Sequence, residues 1–274
     1  MSIPIVIVSE NGLEPAPYRA ESLREAAAIE PPGVYTVTRT YPGGRVVLLE
    51  SHLDRLADSA RLEGIPVRFD RSLVRSGLRE LVQRFEGRSS RARMTVPRSN
   101  PEQVILAIEP LDVPPEHLKK QGVAAATVQL RRTNPRAKSN AWEHRRQEAM
   151  QALPEGVYEG LLVDEQALIR EGFTSNFYAV KHGTIYTAAE DVLLGISRKI
   201  LLSTLPEDQP FKEDPVRLDE IADLEESFLT SSSRGVVPIV KIDDVQLGDG
   251  RPGPVTQLLS ERYDQWVYEH LEEI

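Results

Sequence analysis

Glu171 closes a short apolar run, Ala167-Leu168-Ile169-Arg170-Glu171-Gly172, and the polar Thr174-Ser175-Asn176 follows it. Some 25 residues on, Leu194-Gly195-Ile196-Ser197-Arg198 reads as a loop entering a helix. A carboxylate holds a protonated ring nitrogen. A glycine-led helix start offers backbone N–H groups and the positive end of a dipole to an anion. Together they suit a ligand that carries both a basic ring nitrogen and a phosphate. Farther along, Thr230-Ser231-Ser232-Ser233-Arg234 sets four hydroxyls between two apolar stretches, and hydroxyls bind phosphate oxygens.

Pyridoxal phosphate is such a ligand, and it requires a lysine. Lys138, in Asn134-Pro135-Arg136-Ala137-Lys138-Ser139-Asn140, lies on a polar loop after an apolar strand. A neighbouring cation activates a lysine amine by disfavouring its ammonium form, and Arg131, Arg132 and Arg136 could supply that field. Arg55, in His52-Leu53-Asp54-Arg55-Leu56, could reach a phosphate. Arg93 and Arg98 flank a strand and could each clamp a substrate carboxylate, and Tyr35 and Thr36 could line a pocket. Every one of these residues also has a plainer reading. Lys138 fits a solvated basic loop, and Glu171 a strand end facing water. Gly195-Ile196-Ser197 fits an ordinary helix start, the serines a polar turn, and Arg55 the edge of an amphipathic helix.

The elements that must position these residues are legible from periodicity. Residues 3–8 form an apolar strand and 22–28 a short helix. VYTVTRTY (34–41) and RVVLLE (45–50) form a hairpin about Pro42-Gly43-Gly44. Leu53, Leu56, Ala57 and Ala60 give 51–63 a helical stripe, with Ser51 as the expected N-cap. A helix over 70–85 and strands over 91–97 and 103–111 complete an α+β section, residues 1–112. Residues 113–121, with Pro114-Pro115, read as a linker. The second section, 122–274, contains strands at 122–130, 157–164, 167–172, 176–188 and 225–243. The Lys181-His182-Gly183 turn breaks the fourth of these, and the serine loop breaks the last. Helices are expected at 141–153, 195–205 and 253–273, the last with Leu258, Leu259, Tyr263, Trp266 and Leu271 near one face.

Composition narrows the function classes. There are no cysteines, which excludes disulfides, thiolate catalysis and cysteine-bound metal and fits a reducing cytoplasm. The five histidines form no HxxxH or HxH pair, so no metal site is expected. A net charge of -9 argues against nucleic acid as a partner. No apolar run reaches the roughly 18–20 residues of a membrane helix. The N-terminal apolar run of six is strand-sized and lacks a basic flank, so a signal peptide is not expected.

In combination the motifs resemble the class IV aminotransferases, the fold-type IV pyridoxal-phosphate enzymes, over about residues 33–260. HLDRLADSARL is similar to that family's phosphate-arginine helix and NPRAKSN to its lysine loop. EGFTSNFYAVKHGTIYT with LLGISR is similar to its glutamate and phosphate-loop signature, and SFLTSSSRGVVPIVKIDDVQLGDGRPGPVT to its second phosphate loop. The resemblance implies a small α/β N-terminal domain, a larger pseudo-barrel C-terminal domain, and a cofactor at their interface, usually in a homodimer. It assigns Lys138 the Schiff base and the proton shuttle, and Glu171 the pyridine nitrogen. It assigns the phosphate to Arg55, Gly195, Ile196, Ser197, Ser232 and Ser233. Two positions depart from the family pattern: Thr36 stands where an acid is common, and Trp142-Glu143 replace an aromatic after the lysine.

The activity implied is transfer of an amino group between an amino acid or amine and a keto acid. Branched-chain L-amino acids, D-amino acids and (R)-amines are all open as donors. The runner-up is 4-amino-4-deoxychorismate lyase, a pyruvate-releasing enzyme with the same lysine and cofactor. A third reading is a non-catalytic domain of the same fold that binds a small anion or a partner.

Overall fold

The computed structural model describes residues 2–84, 88–111 and 116–274. In chain order the first elements are β1 (Ile5–Ser9), β2 (Gly12–Pro15), α1 (Leu23–Ile29), β3 (Gly33–Tyr41), β4 (Arg45–Val47), α2 (Leu49–Leu62), α3 (Arg71–Gln83), β5 (Ser90–Pro97) and β6 (Val104–Pro110). Then come α4 (Glu116–Gln121), β7 (Val123–Gln129), α5 (Ala141–Gln151), β8 (Val157–Val163), β9 (Ile169–Gly172), β10 (Asn176–Lys181) and β11 (Thr184–Tyr186). The chain ends with α6 (Ile196–Ser203), β12 (Phe211–Lys212), β13 (Glu226–Ser231), β14 (Gly235–Ile242), β15 (Val245–Gln246), α7 (Pro254–Glu269) and β16 (Leu271–Glu273).

The chain divides into two compact units. One comprises Met1–Asp112, Arg136–His144 and His270–Ile274, and the other Val113–Pro135 and Arg145–Glu269. This differs from the contiguous division at 113–121 expected from the sequence. Glu116–Gln121 is helix rather than linker, because Leu118 packs partly buried on the second unit's core. Residues 112–115 lie outside the described residues. Two later segments, 136–144 and 270–274, also return to the first unit.

The first unit is a seven-stranded antiparallel sheet in the order β16-β4-β3-β5-β6-β1-β2. Strand periodicity sorts its faces. Val6, Val8, Val34, Met94, Val96, Leu106 and Ile108 face one core with Leu49, Leu53, Leu56 and Ala60 of α2 and Val74, Leu78 and Leu81 of α3. Ile5, Ile105 and Ala107 face the other way, against Leu23 and Ala26 of α1. Asp70 caps α3 through the Ser72 and Leu73 N–H groups at 2.7 and 3.1 Å. The expected cap of α2 does not form. That helix starts two residues before Ser51, at Leu49, whose N–H donates to Glu272 Oε1 of β16 at 2.9 Å. A carboxylate from the far end of the chain takes the place of a local hydroxyl, and its charge suits the helix start.

The second unit is a nine-stranded mixed sheet that follows β12-β11-β10-β13-β14-β7-β8-β9, with β15 on β14. The parallel pairs are β11 with β12, β14 with β7 and β7 with β8. Its core includes Leu161, Ile169, Phe177, Ala179, Leu229, Val237 and Ile239. The turn at His182-Gly183 has φ of 49° and 69° and reverses β10 into β11, as the sequence suggests. Helix α7 is shorter than expected. It buries Thr256, Leu259, Tyr263 and Val267, leaves Leu258 exposed, and ends at Glu269 because Leu271–Glu273 pairs with β4.

The first core sets a stability expectation. Leu53→Ala, at a side chain with no exposure, costs about 2–5 kcal/mol of unfolding free energy. Leu62→Ala, at an exposed leucine of the same helix, stays within about 0.5 kcal/mol. Urea denaturation of both variants checks the difference.

Candidate active site

Strand β3 is nine residues long, but β4 pairs only with its end, at Thr40 and Tyr41. Its other end would present unpaired backbone groups on that side, and a buried strand edge must be covered. The lysine loop covers it. Tyr35 N–H donates to Lys138 O at 2.9 Å, Asn140 N–H donates to Gly33 O at 3.1 Å, and Ser139 bridges Val34. The Asn140 side chain accepts from Gly33 N–H and donates to Pro31 O, both at 2.8 Å. Lys138 N–H donates to Ser59 Oγ of α2 at 3.1 Å. The segment is a loop, as expected, but it is docked on the β3 edge through a single bridge at Ser139, and the Lys138 backbone is held at both its N–H and its carbonyl.

Lys138 is half-buried, and its ammonium lies 4.9 Å from the centre of the buried Tyr35 ring. The Arg93 guanidinium lies 3.8 Å from the same centre. Arg93 does not stand ready for a substrate carboxylate. It is 2% exposed, and its Nε donates to Glu30 at 2.8 Å while Nη1 and Nη2 clamp Glu143 at 3.0 and 2.8 Å. Burial works to lower its pKa, but Glu143 and Glu30 outweigh burial and hold it above the ordinary value. Arg98 does not serve either. It lies on the exposed surface, 3.4 Å from Glu63. The carboxylate-clamp expectation for these two arginines is therefore corrected: the chain's own acids take both.

Thr36 is also placed differently from the expectation. It is fully buried on the α2 face, where its hydroxyl accepts from Arg55 Nη2 at 2.7 Å and meets His52 Nδ1 at 3.1 Å. The residue that replaces the family's usual acid orients Arg55. Burial above all, with the Arg55 and Lys138 charges, drives the His52 pKa well below 6.5. His52 is therefore neutral, and its Nδ1 shares a hydrogen bond with the Thr36 hydroxyl.

In the second unit, Glu171 is 2% exposed and does not face water. Its Oε1 accepts from Arg132 Nη1 at 3.0 Å, and its Oε2 accepts from Leu193 N–H at 3.1 Å. Arg132 was expected to serve Lys138 with a positive field. It pairs with Glu171, while Arg131 pairs at the surface with Asp191. Asn176 Nδ2 donates to Leu193 O at 2.8 Å, so the loop before α6 is pinned from behind on both sides of Leu193. Gly195 is the N-cap of α6 and makes no side-chain cap. A Cβ there would collide with Asn176 Oδ1. Ser197 is buried in the first turn.

The serine loop is a three-residue hairpin between Ser231 and Gly235, which has φ +67°. Two of its four hydroxyls turn inward. Thr230 is buried at 3.4 Å from Tyr178 Oη, and Ser231 Oγ accepts from Arg234 at 2.9 Å. Ser232 and Ser233 occupy the half-buried tip. Arg234 also donates to Glu159 Oε2 at 3.0 Å and Thr174 Oγ1 at 2.6 Å, and Glu159 receives the Thr174 and Ser175 hydroxyls. These internal bonds tie the loop after Glu171 to the serine hairpin. Sequence reasoning missed Glu159, Arg234, Glu30, His52 and Ser59 as supports, because each lies far along the chain from the group it holds.

Each unit offers groups that fit the chemistry of pyridoxal phosphate: the first the Lys138 amine, and the second the buried Glu171 carboxylate paired with Arg132 and a helix start at Gly195 with no side-chain cap. The family described as "Amino-transferase class IV" matches over residues 33–242. The chain belongs to the class IV aminotransferases. It is 30% identical to the D-alanine aminotransferase of Bacillus licheniformis over 240 residues, 82% of this chain and 84% of that one. It is 29% identical to the branched-chain-amino-acid aminotransferase of Pseudomonas aeruginosa over 255 residues, 84% of this chain and 82% of that one. Its fold is also that of the branched-chain amino acid aminotransferase of Escherichia coli. The TM-score is 0.80 at 20% identity, with 100% and 99% of the two chains covered.

Class IV aminotransferases are pyridoxal-phosphate-dependent transaminases, so this aminotransferase acts on an amino group donor and a keto acid acceptor. The small α/β section and the curled mixed sheet expected from the resemblance are those of the fold-type IV enzymes. The pyruvate-releasing lyase is not favoured, because the relatives are named as aminotransferases, and the non-catalytic reading falls with it. No helix among the described residues is long and apolar enough to cross a membrane.

The depressed His52 pKa predicts an acid weakness in this aminotransferase. The unfolded histidine takes up a proton below about pH 6.5, while the folded one does not, so the unfolded state binds more protons and stability falls with pH. The loss begins near 6.5 and continues down to the depressed folded value, at up to about 1.4 kcal/mol per pH unit. His52→Gln should flatten that limb in urea titrations between pH 7 and pH 5. An unchanged slope would show that His52 is not its source.

Proposed function

We propose that Lys138 carries the pyridoxal phosphate of this aminotransferase and that an aliphatic amino acid is its donor. The observation that carries the reading is the Glu171 carboxylate, which spans from Arg132 to the Leu193 N–H at 3.0 and 3.1 Å. One buried acid is thereby fixed to the loop that opens α6, so the ring-nitrogen partner and the phosphate cradle belong to one rigid piece. The phosphate falls to Arg55, the Ile196 and Ser197 backbone N–H groups after Gly195, and the Ser232 and Ser233 hydroxyls. Tyr35 borders the lysine, whereas Thr36 acts only through Arg55.

Bound there, pyridoxal phosphate supplies an electron sink and stores the amino group between the two half-reactions. Glu171, paired with Arg132, would hold the ring nitrogen protonated, which strengthens that sink. Lys138 Nζ would take the proton from the substrate α-carbon as general base and give it back as general acid. The backbone bonds of the β3 edge hold Lys138 to one approach, and such positioning is a large part of the catalytic effect. Two relatives acting on D-alanine and on branched-chain amino acids support an aliphatic donor. A homodimer, to be read by sedimentation, and a cytoplasmic site belong to the same reading.

The purified protein should turn yellow with pyridoxal phosphate, and borohydride should fix the label on the Lys138 peptide. Lys138→Ala should remain colourless and lose at least 10³-fold in rate, roughly the effect of removing a positioned acid–base group. D-alanine, L-leucine and an (R)-amine, supplied singly, should be separated by which one bleaches the visible band. If no donor bleaches it, transamination at Lys138 is refuted. Thr36→Val should weaken retention of pyridoxal phosphate on dialysis about tenfold, the effect of about 1.4 kcal/mol for one lost orienting hydrogen bond.

A further inference from the structure

The Tyr35 ring has a cation on each of two contacts: Lys138 Nζ at 4.9 Å and Arg93 Cζ at 3.8 Å from its centre. Arg93 cannot turn away from the ring, because three of its nitrogens are bound to Glu30 and Glu143. Glu143 lies five residues after Lys138, in the first turn of α5. The clamp therefore closes a circuit. It runs from β5 through Arg93 to Glu143, back along the chain to Lys138, and across Tyr35 to Arg93 again.

The second acid is held with equal care. Glu30 Oε2 accepts from Arg93 Nε at 2.8 Å and from Thr95 Oγ1 at 2.7 Å. Burial raises its pKa despite Arg93, and Glu143 adds to the rise. Its Oε1 is buried without a hydrogen-bond partner. A chain that needed only a packed wall here could use apolar residues, since replacing a buried ion cluster by well-packed apolar side chains is often neutral or stabilising. Keeping a charged group against the ring that the lysine touches calls for a reason in the chemistry of the lysine.

We infer that Arg93, clamped by Glu30 and Glu143, is a positioning residue that holds Tyr35 under Lys138 and tunes the proton affinity of the Lys138 nitrogen. The inference rests on the reading of Lys138 as the cofactor-bearing lysine. Tyr35 from β3 lies against that nitrogen, His52 from α2 feels its charge and that of Arg55, Arg93 from β5 lies on the Tyr35 ring, and Glu30 at the end of α1 and Glu143 from α5 bind Arg93. His52 is neutral, so Arg55 and Arg93 are the cations and Glu30 and Glu143 the acids of this set. The unlike charges of Arg93 and Glu143 give their removal opposite consequences. Loss of the Arg93 charge leaves the acids to favour a proton on the lysine nitrogen. Loss of the Glu143 charge leaves Arg93 to oppose it.

The test uses the full chain loaded with pyridoxal phosphate. The visible band is titrated with pH, since its midpoint follows the proton on the Lys138 nitrogen, and kcat and KM are measured alongside. Arg93→Gln should move the midpoint up by about one pH unit, and Glu143→Gln should move it down by a similar amount. Both should lower kcat about tenfold with less change in KM, as for a group that acts on the transition state through another residue. Tyr35→Phe keeps the ring and should keep the midpoint, and Tyr35→Leu should not. If Arg93→Gln does not fold, Glu143→Gln decides alone, because Arg93 keeps Glu30 as its partner. Midpoints that stay fixed, or that move the same way in both variants, overturn the inference. Borohydride trapping on every variant separates the two levels: label on Lys138 with fixed midpoints overturns the tuning role only, whereas label elsewhere overturns the reading of Lys138 and this inference with it.

Discussion

The bare flank of β3 at Gly33–Tyr35 is the constraint from which the chemistry of the first unit follows. A nine-residue strand beside a three-residue β4 leaves donors and acceptors that must be met. The segment that meets them carries Lys138. Its main chain is therefore fixed by backbone hydrogen bonds, and the side chain carries the amine from that point to the Tyr35 ring. The same docking explains why a polar loop from the middle of the chain belongs to the N-terminal unit, and why Asn140 bonds both Gly33 and Pro31.

Around this anchor the protein spends buried charge freely, and each charge is answered. Arg93 has Glu30 and Glu143, Glu171 has Arg132, and Glu159 has Arg234. Such clusters contribute little net stability, but breaking one leaves an uncompensated ion that costs several kcal/mol. Their value lies in direction. The Glu171 carboxylate is aimed by an arginine and a backbone N–H, and the Arg55 guanidinium by a threonine that a neutral histidine orients in turn. The loop before α6 and the loop after Glu171 are tied from behind, through Asn176 to Leu193 and through Arg234 to Thr174.

Residues whose role is local were legible. Strand alternation, the His182-Gly183 turn, the α2 stripe and the glycine start of α6 each express a period or a backbone preference of a few neighbouring residues. Lys138 and Glu171 were legible through the motifs around them. Residues whose role depends on a distant partner were misread. Arg93 was taken for a substrate clamp, since nothing near it in sequence shows that Glu30 and Glu143 converge on it from 63 and 50 residues away. Ser51 lost the helix cap to Glu272, 223 residues from Leu49. Arg132 was assigned to the lysine six positions on, but it faces the acid 39 positions on.

The sequence by itself determined the family, the cofactor class and most of the elements, because these depend on residue type and short spacing. Only the tertiary structure decided which arginine is spoken for, what replaces the acid at Thr36, and how Lys138 is held. Those outcomes depend on desolvation. Once a charged side chain is buried it must find a partner wherever the fold supplies one, and that partner is chosen by the register of strands and the packing of helices, which no local stretch of the chain records.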